Sequence, residues 1–358
     1  MLELYIRNKQ LEIIDIIDNY SSVIWTKRYN ECGDFEIYIR ATPQLLKTLQ
    51  PSYYVTRNDD DMVGIIEKIT LTTDTENGDY ITVSGRDVLS LLTRRVFIKT
   101  NYFNDMTVEN TIRAMISQNC IDPEIPLRKI NEISLADVHG YDTEMTINMQ
   151  VTGSNLYDEV VELAKRMNYG LKMTLINNKF VFDIYKFTDR SFNQSENPYV
   201  VFSEEYSNLL NTSYSYDVTN FKNVAVVAGQ GEGENRVWET TGTLTYTDNW
   251  KYIDRYEMFV DSRDTESTYR EGKIIGASMS NYWELAERGQ SELMTVAPLE
   301  TFEGDIDTRR TYKYKSDYFV GDVVQICNEY GLTATTQIIE IIENEDENGY
   351  TVVPTFST

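Results

Sequence analysis

The sequence predicts an α+β fold that is mostly β: two related β-domains, each a barrel or sandwich, with α+β regions inserted between and within them. Three observations predict it. Tyr is unusually common, at 26 of 358 residues, and Thr and Ile are dense; all three fit pleated, half-buried strands. Short strand-like runs bounded by turn residues fill both ends of the chain, and the clearest helical periodicity lies between them. One block also recurs. Ile65-Ile-Glu-Lys-Ile69, then Glu76-Asn-Gly-Asp-Tyr-Ile-Thr-Val83, is echoed by Ile338-Ile-Glu-Ile-Ile342, then Glu347-Asn-Gly-Tyr-Thr-Val-Val353. Each block reads as a strand, an acidic loop with Glu-Asn-Gly, and a return strand. Tyr53-Tyr54-Val55 and Tyr318-Phe319-Val320 precede the two blocks in similar places. Two copies so far apart are a duplication and not a solenoid array.

The elements follow in chain order. Strands are predicted at Leu2–Arg7, Glu12–Asp18, Ser22–Lys27 and Phe35–Arg40, with a turn at Asn30–Gly33. Ala41–Leu49 reads as a short helix stopped by Pro51. Tyr53–Arg57 and Val63–Thr73 are strands around the acidic tip Asn58-Asp59-Asp60-Asp61, and Tyr80–Gly85 returns after Asn77-Gly78. A two-residue loop there would set Leu71 against Ser84 and out of phase with Val83, so a bulge or longer loop is expected. Asp87–Leu92 is a short helix. Thr107–Asn119 is a longer one: Thr107 caps it, Glu109 suits its first turn, and Val108, Ile112, Met115 and Ile116 form its apolar stripe. Ser154–Asn168 is another, with Ser154 as N-cap and Leu156, Val160, Leu163 and Met167 on one face. Leu171–Ile176 and Lys179–Phe187 pair across Asn177-Asn178. Strands return at Leu209–Tyr216 and Lys222–Ala228, Arg263–Glu292 reads as mostly helical, and the pattern from Thr295 onward is β.

Composition narrows the function. The net charge of −24 makes a grip on nucleic acid or an anionic membrane unfavourable, because the long-range field is repulsive. Met1–Tyr20 lacks an uninterrupted apolar run, so no signal peptide is expected, and no stretch of about 18 apolar residues suggests a transmembrane helix. Cys32, Cys120 and Cys327 are odd in number and widely spaced, which fits reduced, buried thiols. The single histidine, His139, removes His-dependent triads and multi-His zinc sites as candidates.

Four segments have site-like features, and none carries a site reading. Gly229–Arg236 has three alternating glycines but no Lys-Ser/Thr, and Glu232 and Glu234 would repel phosphate, so a turn is expected. Asp59-Asp60-Asp61 does not continue into a calcium loop, and a solvated hairpin tip is expected. His139 has Asp137 and Asp142 nearby in sequence but no nucleophile motif, and reads as a surface or loop residue. Arg94-Arg95 is a lone basic doublet, expected to make local salt bridges. No catalytic, cofactor-binding or metal-binding residue is therefore assigned, and no cofactor is expected.

Several stretches carry a family resemblance. Leu2-Glu-Leu-Tyr-Ile6, Trp25-Thr-Lys-Arg-Tyr-Asn-Glu31, Gly33-Asp-Phe-Glu-Ile37, Gly64-Ile-Ile-Glu-Lys-Ile69, Val83-Ser-Gly-Arg86 and Leu91-Leu-Thr-Arg-Arg95 resemble the opening of tail-hub proteins of long, non-contractile-tailed phages and related prophages. Val227–Arg236 is similar to that family's acidic glycine loop. Val320-Gly-Asp-Val-Val324 through Glu345-Asp-Glu-Asn-Gly349 to Val353-Pro-Thr-Phe356 resembles its C-terminal hairpin.

The resemblance implies a non-enzymatic virion protein, similar in fold to the baseplate hub of contractile tails. Its two tube-like β-domains would be residues 1–95 and residues 207–231 with 296–358. A peripheral α+β domain would comprise 96–206 and 232–295. Three copies would form a pseudo-sixfold ring that joins the tail tube or a distal tail ring to tip or fibre proteins. DNA would pass through it without specific binding, and the chain would not insert in a membrane. The implied place is the virion tail tip, after folding and assembly in the bacterial host cytoplasm. The matching portion reaches nearly to Thr358, so the resemblance carries over no lytic activity. The alternative reading is a cell-wall-degrading or glycan-binding protein of the tail tip.

Overall fold

A computed structural model describes residues 2–76, 78–233, 236–242, 250–263, 269–270, 273–274, 279–306, 311–328, 330 and 333–357. It has the mostly-β α+β fold expected. The chain forms two compact units, residues 1–213 with 302–358, and residues 214–301. Segments 96–206 and 232–295, expected to share one peripheral domain, thus fall in different units.

The first unit is organised by one long sheet path. In spatial order its strands are Leu209–Asp217, Leu299–Ile306, Gly349–Ser357, Thr333–Asp346, Ser22–Arg28, Asp34–Arg40, Tyr80–Arg86 and Lys68–Thr72. The unit boundary cuts the first two of these strands, so only parts of them belong to this unit. The path contains the same order twice. Ser22–Arg28, Asp34–Arg40, Tyr80–Arg86 and Lys68–Thr72 make one module. Leu209–Asp217, Leu299–Ile306, Gly349–Ser357 and Thr333–Asp346 make the other. The join is antiparallel, from Glu340 opposite Arg28 to Asp346 opposite Ser22.

Backbone detail matches between the modules as well. The Ile66 N–H donates to the Tyr53 carbonyl, and the Ile66 carbonyl accepts from Ser52 N–H. Ile338 does the same with the Asp322 carbonyl and Gly321 N–H. Ser52 and Gly321 both have left-handed φ, +67° and +96°. An irregularity follows in each copy. Glu67 N–H donates to the Ser84 carbonyl while Lys68 pairs with Ser84, and the second copy steps from Ile338–Phe356 to Glu340–Thr355. Ile66 therefore corresponds to Ile338, one residue from the alignment of the sequence echo. Tyr53-Tyr54-Val55 corresponds to Asp322-Val323-Val324 and not to Tyr318-Phe319-Val320.

The hairpin loops differ. Pairing ends at Thr72–Tyr80 in the first module, leaving residues 73–79 as loop, and at Asp346–Gly349 in the second. The longer loop sets Leu71 opposite Ile81, which rules out the two-residue turn; Asn77 lies outside the described residues. The predicted Val63–Thr73 strand is two strands, Val63–Ile65 and Lys68–Thr72, in different sheets. Gly85 makes the break possible: a Cβ there would lie 1.8 Å from the Ile65 carbonyl oxygen. Val63–Ile65 joins a four-stranded sheet with Ile13–Ile17, Leu4–Arg7 and Tyr54–Arg57. Leu4, Ile6, Val23, Trp25, Phe35, Ile37, Val55, Ile81 and Val83 fill the core between the two sheets. The second module buries Phe202, Tyr318, Val324, Ile326, Ile338, Ile341, Val352 and Phe356.

The α+β region packs on the first module. Val108–Ile116 is capped by Thr107, whose hydroxyl accepts from Asn110 N–H, and buries Val108, Ile112, Met115 and Ile116. Leu156–Arg166 is capped by Asn155, not Ser154: the Asn155 side chain accepts from Tyr157 N–H. Tyr169–Ile176 and Lys179–Lys186 form a hairpin through Asn177 and Asn178, both at positive φ, with Ile133–Leu135 added in parallel. Strands Asn101–Thr107, Ile133–Leu135 and Thr146–Val151 were not expected. Cys32, Cys120 and Cys327 are free thiols.

In the second unit, Val224–Ala228 lies between Trp238–Gly242 and Glu257–Asp261. The predicted Arg263–Glu292 helix begins later, as Met279–Thr295, after short strands at Tyr269–Arg270 and Lys273–Ile274. Residues 264–268, 271–272 and 275–278 lie outside the described residues. Leu285 and Leu293 of that helix pack on Ala225, Val227, Val237 and Val260. Gly289 allows the close approach, since a Cβ there would meet Thr241 Cγ2 at 2.4 Å.

Replacing Gly85 with Ala should destabilise the chain by about 2–4 kcal/mol, because a backbone carbonyl occupies the Cβ position. Urea unfolding measures it; an unchanged midpoint would show that the strand break is soft.

Candidate functional site

The strongest concentration of unusual chemistry lies where the two modules join. Strand alternation turns Glu343 of Thr333–Asp346 inward, and Arg57 ends Tyr54–Arg57; their side chains are 1% and 0% exposed. Arg57 Nη1 lies 2.8 Å from Glu343 Oε2, while Nε and Nη2 donate to the two Asp59 oxygens at 2.9 and 2.6 Å. The Arg57 guanidinium also sits 5.5 Å from the Trp25 ring centre. Lys315 Nζ is 2.8 Å from Glu343 Oε1 and 2.6 Å from Asp60 Oδ2. Asp60, whose side chain is fully buried, accepts from Met62 N–H and Trp25 Nε1 and pairs with Lys27 at 3.2 Å. The acidic tip is thus not solvated as expected. Asp59 and Asp61 are part exposed, but Asp60 anchors a network of Lys27, Arg57, Lys315 and Glu343.

Electrostatics follow from this arrangement. Burial alone would raise the Asp60 carboxyl, but Lys27 and Lys315 overcome it and hold it well below the usual carboxylate range. Burial would lower Lys27 and Arg57 too, yet their carboxylate partners keep both more firmly protonated than usual. Removing one partner from such a cluster strands a buried charge.

A cleft of about 560 Å³ opens beside the network, lined among others by Lys27, Asp60, Asp87, Lys172, Tyr185 and Lys315. Asp87 caps the short helix Val88–Arg94 and accepts from Leu89 and Gly33 N–H. Burial pushes its carboxyl up to about 7 despite those bonds.

The other segments read from the sequence, His139, Arg94-Arg95 and Gly229–Arg236, make contacts of their own. His139 Nε2 lies 2.8 Å from Asp183, and not on Asp137 or Asp142, and its ring stacks on Tyr141. Asp142 instead accepts from the Tyr169 hydroxyl and Lys186. Glu109 is buried on the Val108–Ile116 helix and accepts from the N–H groups of His139, Gly140 and Tyr141, so it holds the loop that carries the histidine. Among the described residues Arg95 has no salt-bridge partner, and it donates to the Arg128 carbonyl at 3.0 and 2.7 Å. In the second unit, Arg236 closes the glycine loop by donating to the Ala228 and Gly229 carbonyls and pairing with Asp261; Glu234 and Asn235 lie outside the described residues. Among the described residues, no cluster of three or more His, Cys, Asp and Glu side chains is arranged to hold a metal ion.

Comparison with known proteins places this architecture. A sequence model described as Siphovirus ReqiPepy6 Gp37-like protein matches residues 3–356. No protein of curated function matches. A tail protein from Neisseria meningitidis has a TM-score of 0.62 at 11% identity, covering 100% of this chain and 96% of its own. The prophage MuSo2 43 kDa tail protein from Shewanella oneidensis has 0.62 at 12%, covering 99% and 98%. The prophage tail protein gp18 from Listeria monocytogenes has 0.56 at 12%, covering 99% and 94%. At these identities the likeness is one of fold.

Two outcomes are expected at this site. Arg57→Met and Glu343→Leu should each cost about 3–5 kcal/mol by denaturant unfolding, and the double variant clearly less than their sum; additive losses would show that the two charges act independently. Asp87 ionises near pH 4 in the unfolded chain but near 7 in the fold, so the folded protein holds more protons between those values. Its contribution is fully present below about pH 4 and is lost as pH rises toward about 7. The Asp87→Asn variant should lack that slope in a series of unfolding curves; a parallel pH profile would refute the assignment.

Proposed function

The chain belongs to the siphovirus ReqiPepy6 Gp37-like family, and on that premise we propose that it is the hub of a phage or prophage-derived tail. Three copies close into a ring whose wall is built from six sheet modules, two per chain. The observation that carries this reading is the strand order repeated within one polypeptide and joined into one sheet path. A threefold assembly of such chains presents a near-sixfold wall, which fits a sixfold tail tube on one side and a threefold tip on the other.

The role is structural. The ionic network holds two modules in fixed register, and no catalytic residue is assigned. The ring joins the tail tube or a distal tail ring to tip or fibre proteins, at the tail tip of a virion assembled in the host cytoplasm. The net charge of −24 per chain fits a channel that lets DNA slide through, since like charges keep phosphates off the wall.

Native mass measurement of the full chain across a concentration series tests the reading. A species of three chains is expected. A monomer at every concentration, or a closed ring of another number, would overturn it. Incubation with purified cell walls should release no soluble fragments; release abolished by substituting one Asp or Glu would replace the structural role with a lytic one.

A further inference from the structure

Two short segments of the α+β region are laced together side by side. The Arg95 guanidinium donates from Nε and Nη2 to the Arg128 carbonyl at 3.0 and 2.7 Å, and Arg128 Nη2 returns a 2.6 Å bond to the Val96 carbonyl. At the other end Lys99 Nζ lies 2.7 Å from Glu124 Oε1. Residues 95–99 and 124–128 therefore run next to each other in opposite directions. Each is also fixed from behind. Phe97 is buried, its N–H donates to the Ser154 carbonyl, and its carbonyl accepts from Gly153 N–H. Pro126 opens a short turn in which Arg128 N–H donates to the Ile125 carbonyl, and Ile130 N–H then donates to the Cys120 carbonyl.

The face that this platform turns to solvent is apolar and basic. Val96, Ile98, Ile125 and Leu127 lie between the two ties, and all four are exposed, Ile98 at 54% and Leu127 at 95%. Single exposed aliphatic residues are ordinary, but four neighbouring ones held by hydrogen bonds form a patch of the kind that marks a contact surface. The charge around them opposes that of the chain. Segments 94–99 and 124–129 carry Arg94, Arg95, Lys99, Arg128 and Lys129 against one acid, Glu124, whereas the whole chain has 33 basic and 57 acidic residues. Among the described residues, Lys99 alone of these five pairs with a carboxylate. Arg95 and Arg128 bond to carbonyls and to the Asn119 amide, which leaves their charge uncancelled.

We propose that this platform docks an extended polypeptide segment of another protein, one in which Asp or Glu flank aliphatic side chains. The aliphatic groups cover Ile98 and Leu127, and the carboxylates meet the cations beside them. Covering the apolar patch also removes water from the guanidinium groups, which strengthens their attraction for a carboxylate. A platform already held by hydrogen bonds loses little freedom when it is covered. Other anions fit less well. A nucleic acid brings phosphates but no aliphatic side chain, and the one aromatic residue in these segments, Phe97, is buried and offers no face for a base to stack on. An anionic bilayer is an extended surface and meets the field of the whole chain, with its net charge of −24. A short segment feels chiefly the cations within a Debye length, about 8–10 Å. The proposal goes beyond the hub reading and needs no ring, since one chain supplies the whole platform.

The test pans a displayed library of random short peptides on the immobilised full chain, with the full-length Leu127→Ser variant as counter-target. Peptides retained by the parent chain and lost on the variant should combine Asp or Glu with Leu, Ile or Val. By fluorescence anisotropy, an enriched peptide should bind about tenfold or more weakly to Leu127→Ser and to Lys129→Glu, and more weakly as salt rises. Both variants should keep the parent melting transition, because both side chains are exposed. Enrichment of basic peptides, equal binding to parent and variants, or no enrichment at all would overturn the proposal. Flotation of the chain with phosphatidylglycerol-containing vesicles, abolished by Leu127→Ser, would also overturn it and assign the platform to a lipid surface.

Discussion

The structure depends on one contact of high sequence separation: Glu343 beside Arg57, buried under the strand pair that joins the two modules. Neither charge is stable there alone. Arg57 is held between Asp59 and Glu343, Glu343 between Arg57 and Lys315, and Asp60 between Lys315 and Lys27. Strand pairing by itself tolerates slippage, because backbone hydrogen bonds re-form after a shift. A one-residue slip here would turn Glu343 to the opposite face and leave Arg57 and Lys315 short of an anion. The network thus contributes register more than strength, which suits a joint whose geometry sets the next module's position.

The same logic explains the division of labour among residues. Apolar cores hold each module together: Val23, Trp25 and Phe35 in one, Phe202, Tyr318 and Phe356 in the other. Charges appear where the cores meet and specify the alignment. Trp25 belongs to both sets. Its ring packs in the first core, its Nε1 donates to Asp60, and its face lies against Arg57. Glu109 plays a comparable local part, since one carboxylate ties three N–H groups of a loop to a helix.

Much of this was legible in the sequence, for local reasons. Val108–Ile116 was set by its apolar stripe and by Thr107, and the Asn177-Asn178 turn by residues that tolerate positive φ. The duplication showed because paired hairpins repeat their inward-facing residues. Its alignment was one residue off because the equivalence lives in hydrogen bonds of Ile66 and Ile338 rather than in side chains. The Asp59–Asp61 tip was misread because the partners that bury Asp60 include Lys315, far along the chain. Ser154 lost the cap to Asn155, whose side chain makes the same bond one residue later. Buried Asp87 and Glu109 left no periodic signal, since a carboxylate that accepts backbone N–H groups looks like any surface acid in a sequence.

The unequal hairpin tips have a consequence for how any binding partner would read the chain. Residues 73–76, 78 and 79 belong to one tip, and Glu347 and Asn348 form the other. The walls under them share a plan, so a partner that grips only the wall meets equivalent places twice per chain. One that grips a tip meets two different addresses, and binding to the longer alone counts molecules instead of modules.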